Sequence, residues 1–181
     1  VWDHLLPAMG DDILTESTAT IALQERLAGL ALPIPAKSEI PEKVLALNGK
    51  TFTFKENRTG LKTVKFTFAD DGCTMHLEDH FGMHTLEIGN GKWKENTDLI
   101  SFMKATMIQL WVGAPPIQAY QFAAAGTWEE NEFSITMHYL ETPHREYLTA
   151  AFEGDTLSLE IRNSMIDPDD PQAAHIEITF T

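Results

Sequence analysis

At 181 residues, with 43% apolar and 22% charged side chains, the chain is long enough for one domain with a real core and short for two. Its formal charge of −14 disfavours nucleic-acid backbones and anionic lipid, and no stretch reaches the roughly 18 apolar residues of a membrane span. With Cys73 as its one cysteine, an intrachain disulfide and a Cys-based zinc site are both excluded.

The chain opens on VWDHLLPAM. Trp2, Leu5, Leu6 and Met9 follow helical spacing and make a stripe too apolar to leave in water, while Pro7 ends such a helix within one or two turns. The segment is therefore expected to dock on something. TESTATIALQERLAGLALPIP predicts the next helix. Thr15 or Ser17 caps it, and Ala19, Leu23 and Leu27, with Ala22 and Leu30, form one apolar face. Gly29 stops it, and Pro33 and Pro35 prevent continuation. Residues 1–36 read as a helical linker and docking segment, and 37–181 as a β domain. A short helix or turn around SEIPEKVLAL, with Ser38 as cap, opens the second part.

From Leu47 onward the apolar period becomes two. Phe52 and Phe54, then Val64, Phe66 and Phe68, then Cys73, Met75 and Leu77 alternate with Thr, Lys, His and Glu. The same pattern returns at Phe122–Trp128, Phe133–Tyr139, Leu148–Phe152, Leu157–Ile161 and Ile176–Phe180. One apolar and one polar face per segment predicts half-buried antiparallel strands. ADDGC, DHFG, GNGK, TWEENE and FEGDT supply the Asp, Asn and Gly that hairpin turns need. About eight to ten such strands must close into a barrel or fold over as a sandwich, and consecutive hairpins favour an antiparallel up-and-down barrel. ATMIQLWVGAPPIQAY breaks the pattern and reads as a loop crossing the barrel's end, around Trp111, Val112, Pro115 and Pro116.

VWDHLLPAM, LAGLALPIP, NGKTFTFKENRTGLKTVKFTF, GNGKW, AAAGTWEENEFSITMHYLETP and DTLSLEIRN occur in order along nearly the whole chain. In this series the chain resembles the C-terminal region of bacterial beta-lactamase-related serine hydrolases. There a penicillin-binding-protein-like catalytic domain precedes a helix-plus-β module. The resemblance implies that VWDHLLPAM is the exit from a hydrolase domain of the same polypeptide. It also implies that this chain is a non-catalytic accessory domain beside that partner.

The catalytic chemistry of such hydrolases needs Ser-x-x-Lys on a buried helix, where the lysine activates the serine. SFMK places Ser101 and Lys104 at that spacing, but Tyr-x-Asn, Ser-Asp-Asn and Lys-Thr-Gly are missing, and HFG at His80 precedes SFMK instead of following it. No catalytic residue is assigned. His76, His80 and His84 are spaced by four, which would suit a metal on a helix. The alternation and Gly72 and Gly82 argue for a hairpin, across which His76 and His84 could approach with Glu78 nearby. Asp167, Asp169 and Asp170 lack the calcium-loop pattern, and no nucleotide motif occurs. His138 and His175 fall on polar faces. Neither a metal nor another cofactor is expected.

Two functions remain open. One is the accessory domain, with Trp2, Leu5, Leu6 and Met9 docking on the hydrolase domain. The other is a lipocalin-like binder of a small apolar ligand, in which Phe52, Phe54, Phe66, Phe68, Trp128, Phe133 and Tyr139 line the barrel. The same side chains would equally fill it.

Overall fold

The alternation of apolar and polar residues becomes a ten-stranded sheet in the computed structural model, which describes residues 2, 17–57, 60–98, 119–164 and 178–179. The chain divides into two compact units, Val1–Pro33 and Ile34–Thr181.

In the first unit α1 spans Thr18–Ala28. Of the two candidate caps, Ser17 is the one used: its Oγ accepts from the Thr20 amide at 3.2 Å. At the other end the Gly29 amide donates to Glu25 O, and Arg26 in the last turn complements the helix dipole. Ile21, Leu23 and Leu27 of this helix are exposed. Among the described residues no helix is long and apolar enough to cross a membrane.

The second unit begins with an extended strap and a one-turn helix, α2, at Glu42–Leu45. Pro41 precedes α2 with φ −60°, so the helix starts there and not after Ser38. Ser38 is instead built into the barrel. Its amide donates to Asn90 Oδ1 at 2.9 Å, its carbonyl accepts from Asn90 Nδ2 at 2.8 Å, and its Oγ accepts from the Trp128 amide at 2.7 Å. The side-chain amide of Asn90 thus does for the strap what a neighbouring strand would do. Val44 of α2 and Leu47 join the core.

Among the described residues ten strands follow: β1 Thr51–Thr53, β2 Thr63–Ala69, β3 Gly72–Glu78, β4 Met83–Asn90, β5 Lys94–Asp98, β6 Tyr120–Glu129, β7 Glu132–Tyr139, β8 Arg145–Glu153, β9 Thr156–Asn163 and β10 Ile178–Thr179. Consecutive strands pair antiparallel from β1 to β4 and from β5 to β10. Between the two runs, β4 touches β6 in parallel at Gly89 and Asn90 only. There the Asn96 side chain links β4 to β5, taking the Glu87 amide at 2.7 Å and donating to Glu87 O at 2.9 Å. Period-two reading passes over β5 because KENTD has no apolar face. Its pairing with β6, from Lys94 opposite Ala124 to Asp98 opposite Tyr120, makes it a strand.

The sheet rolls up on its apolar face. Phe52 of β1 and Phe66 and Phe68 of β2 lie 6.3, 5.7 and 6.0 Å, centroid to centroid, from the ring of Phe152 on β8. Strands far apart in the sheet order therefore share one core, and the result is an antiparallel up-and-down barrel, mainly β, with the helices preceding it in the chain. Inward residues such as Val64, Met75, Leu77, Leu86, Ile88 and Ala124 are wholly buried. The barrel is tight where β6 passes β7: a Cβ on Gly126 would lie 2.4 Å from the Phe133 ring. At the β6–β7 turn Glu130 holds φ +54° without being glycine. That conformation costs about 1–2 kcal/mol, and glycine's extra chain entropy offsets about half of it. Glu130→Gly is expected to raise stability by about 0.5–1 kcal/mol, read as a higher urea midpoint.

Candidate functional site

Because the strands run up and down, the turns sort the barrel into two ends. The turns after β2, β4, β6 and β8 lie at one end, and those after β3 and β7 at the other. Their interiors differ in kind.

The first end is packed with rings. Phe68 lies 5.0 Å from Trp128, 5.5 Å from Phe133 and 5.6 Å from Phe66, and Trp128 and Phe133 are 4.8 Å apart. Edge-to-face and tilted contacts at these separations fill space and add attraction beyond burial. Outside this plug, the strap and the β2–β3 turn enclose a half-open cleft of about 420 Å³ lined by Lys37, Ser38, Glu39, Ile40, Leu45, Asp70 and Asn90.

The second end carries Asp79, His84 and Glu146, the buried charged residues among those described, at 1, 4 and 1% exposure. Asp79 follows β3, and its Oδ1 accepts from the Phe81 amide at 2.5 Å and the Gly82 amide at 3.2 Å. An Asp two residues ahead of a turn makes this local bond readily, so DHFG folds the β3–β4 turn around it. The same oxygen faces His84 Nε2 at 3.1 Å, while His84 Nδ1 faces Oδ1 of Asp98, at the end of β5, at 2.5 Å. On the following strands the Tyr139 hydroxyl donates to Glu146 Oε2 at 2.7 Å, with Tyr120 packed 5.7 Å from Tyr139, centroid to centroid. Asp98 is opposite Tyr120 in the ladder, so the two halves of the cluster lie on adjoining strands.

The three spaced histidines separate. The register sets His76 opposite Thr85 and Leu77 opposite His84, so His76 and His84 lie on opposite faces and do not approach. His76 bonds Thr85 Oγ1 outside at 3.1 Å, Glu78 pairs with Lys62, and His80 stacks on Phe81 in the turn. Among the described residues no group of three His, Cys, Asp or Glu side chains is arranged to hold a metal. Cys73 is buried, and burial pushes its thiol well above the usual range, which leaves it unreactive.

His138, expected on a polar face, is partly covered, with the Trp93 ring edge-on at 5.1 Å. Desolvation first, and Arg145 second, hold its pKa below the ordinary 6.5. The unfolded chain then binds the proton more tightly. The stability His138 contributes is present above its unfolded pKa and is lost as pH falls through the folded one. His138→Gln is expected to flatten the fall in urea midpoint between about pH 7 and pH 5.

Of the ring-bearing candidates, Phe68, Trp128 and Phe133 sit at the plugged end, and Phe52 and Phe66 in the middle. Phe54, whose amide donates to Lys62 O, and Tyr139 belong to the polar end. Trp2 is 73% exposed. Leu5, Leu6, Met9, Ser101, Lys104, Trp111, Val112, Pro115, Pro116, Asp167, Asp169, Asp170 and His175 lie outside the described residues. Asp79 and Asp98 carry no sequence signal of their burial or pairing. For Glu146 a signal exists: it shares its strand parity with Leu148, Ala150 and Phe152, so a charge stands where the pattern calls for an apolar side chain.

No protein-family model matches the chain, and no curated protein matches it. Among solved structures it is similar to a fatty acid-binding protein from the brain tissue of Drosophila melanogaster, crystallised without citrate inside. The identity is 9% and the TM-score 0.46, over 74% of this chain and 96% of that one.

Proposed function

We propose that the β unit is a lipocalin-like binder of a small, largely apolar molecule, held with its polar group at the Asp79–His84–Asp98 and Tyr139–Glu146 end of the barrel. The observation that carries this reading is the segregation of buried charge. Asp79, His84 and Glu146 are desolvated at one end, while the other end is closed by aromatic rings. Buried ionic groups are often no more stabilising than apolar residues of the same volume, so three at one end ask for a functional reason. A few placed polar groups among apolar walls is how small-molecule sites fix orientation. On this reading Phe54 and Tyr139 belong to the ligand's surroundings, and Phe68, Trp128 and Phe133 form the barrel's floor.

Calorimetric titration with decanol, decylamine and decanoate tests the proposal. Saturable binding of at least one is expected, weakened about tenfold by Tyr139→Phe, which removes the hydroxyl that meets Glu146. Lys65→Ala, on the outer face, should leave it unchanged. No saturable binding of any of the three would remove the reading.

The accessory-domain reading is favoured by a different observation, the exposed Ile21, Leu23 and Leu27 of α1 together with exposed Trp2. Here the first unit attaches the β unit to a serine hydrolase domain of the same polypeptide, with Trp2, Leu5, Leu6 and Met9 as contacts. Trp2→Ser combined with Leu6→Ser is expected to weaken capture of a separately expressed catalytic domain about tenfold while the barrel stays folded. Unchanged capture would count against it.

A further inference from the structure

We infer that the barrel wall parts along the seam between β4 and β5, with the side-chain amide of Asn96 as its clasp, and that the ligand passes there; the passage rests on the binder reading above. β4 is laddered to β3 from Met83, opposite Glu78, to Gly89, opposite Gly72. Its other edge pairs with β6 at Gly89 and Asn90, so among the described residues no strand pairs with 83–88 on that side. β5 runs beside this bare edge and is laddered to β6. Side chains cross the gap instead. Asn96 Oδ1 accepts from the Glu87 amide at 2.7 Å, and its Nδ2 donates to Glu87 O at 2.9 Å and to Lys94 O at 3.1 Å. Outside, Lys94 Nζ meets Glu87 Oε2 at 3.2 Å, and at the polar end His84 Nδ1 meets Asp98 Oδ1.

A ladder bond is kept by its neighbours, because one strand residue cannot leave without the next. A side-chain amide is not bound in that way. A change of rotamer at Asn96 hands the Glu87 amide and carbonyl to water, and a hydrogen bond exchanged for one to water costs little net. The Lys94–Glu87 pair is partly exposed, and solvent screens it as the strands part. The wall around Asn96 therefore opens without breaking a ladder. Behind it lies the lining of the core: Leu86 and Ile88 of β4 are wholly buried, and so is Phe122, which stands opposite Asn96 on β6. An apolar tail entering here reaches the interior between the ring-packed floor and the polar end.

The test uses the full chain and has two arms. Amide hydrogen exchange of the unaltered protein reads the opening. Glu87 is expected to exchange at least about a hundredfold faster than Ile135 and Leu148, which are laddered on both sides, and to do so independently of low urea, as local opening requires. NMR exchange with decanol, decylamine or decanoate, whichever calorimetry shows to bind, reads the passage. Asn96→Ala should raise the dissociation rate about tenfold while Kd changes less than about twofold, so that association quickens equally. Thr97→Ala, on the exposed face of the same strand, should change neither rate. Glu87 protected as strongly as Ile135, with the urea dependence of global unfolding, would overturn the seam. An unchanged dissociation rate in Asn96→Ala would overturn the passage, and so would a rise in Kd with association unaltered, which would make Asn96 a ligand contact. Failure of all three probes to bind would remove the binder reading and the passage with it, while the exchange result still decides the seam.

Discussion

Phe68→Ala is expected to lower the unfolding free energy by about 4 kcal/mol, and Thr67→Ala next to it by no more than about 0.5 kcal/mol. Phe68 is 6% exposed and in ring contact with Phe66, Trp128, Phe133 and Phe152, which come from four different strands. Truncation removes the transfer free energy of one ring and leaves a cavity between β2, β6, β7 and β8. The neighbours cannot collapse into it, because each is held by its own ladder. Thr67 points the other way, opposite Thr74 on the solvent face. Urea unfolding followed by tryptophan fluorescence measures both variants, and Trp128 beside the cavity reports directly. Equal losses at the two positions would mean that the strand presents both faces to packing, contrary to the register.

Asp79→Ala should lose about 3–5 kcal/mol, and Asp79→Asn only about 1 kcal/mol. Oδ1 of Asp79 accepts from two backbone amides of the β3–β4 turn and meets His84 Nε2. Alanine leaves the buried imidazole and the two turn amides without that acceptor, and removing one member of a buried charge-assisted set is far costlier than never having built it. Asparagine keeps an oxygen where Oδ1 sits, so the turn amides and the imidazole retain a partner of lower charge. Denaturant midpoints of the two variants separate the roles. If asparagine cost as much as alanine, the carboxylate charge itself, and not the acceptor, would hold the turn.

The parity of Phe66 and Phe68, and of Ile135 and Met137, already requires strands with one buried face. Side chains in an extended chain alternate whatever the tertiary setting, and the turn residues in ADDGC and FEGDT report local backbone geometry. Ser17 as a helix start and Gly29 as its stop are equally local, depending on the φ, ψ and donors of a few consecutive residues. Ser38 is not a helix cap, and its partners, Asn90 and Trp128, lie on strands distant in sequence that no local pattern points to. β5 had no local signature because its membership depends on the ladder offered by β6.

The site divides along the same line. Glu146 and His84 stand on apolar parities, so their burial was written into the alternation. That Glu146 meets Tyr139, and His84 meets Asp79 and Asp98, was not. Burial of a residue follows from its own strand's pattern, whereas its partner is set by strand order, register and the roll of the sheet. A shift of one residue in the β3–β4 pairing would change every such neighbour while leaving each strand's pattern of residues the same. The sequence alone determined which side chains face inward; only the closed barrel decided which of them touch, because contact is a property of the whole sheet and alternation of a single strand.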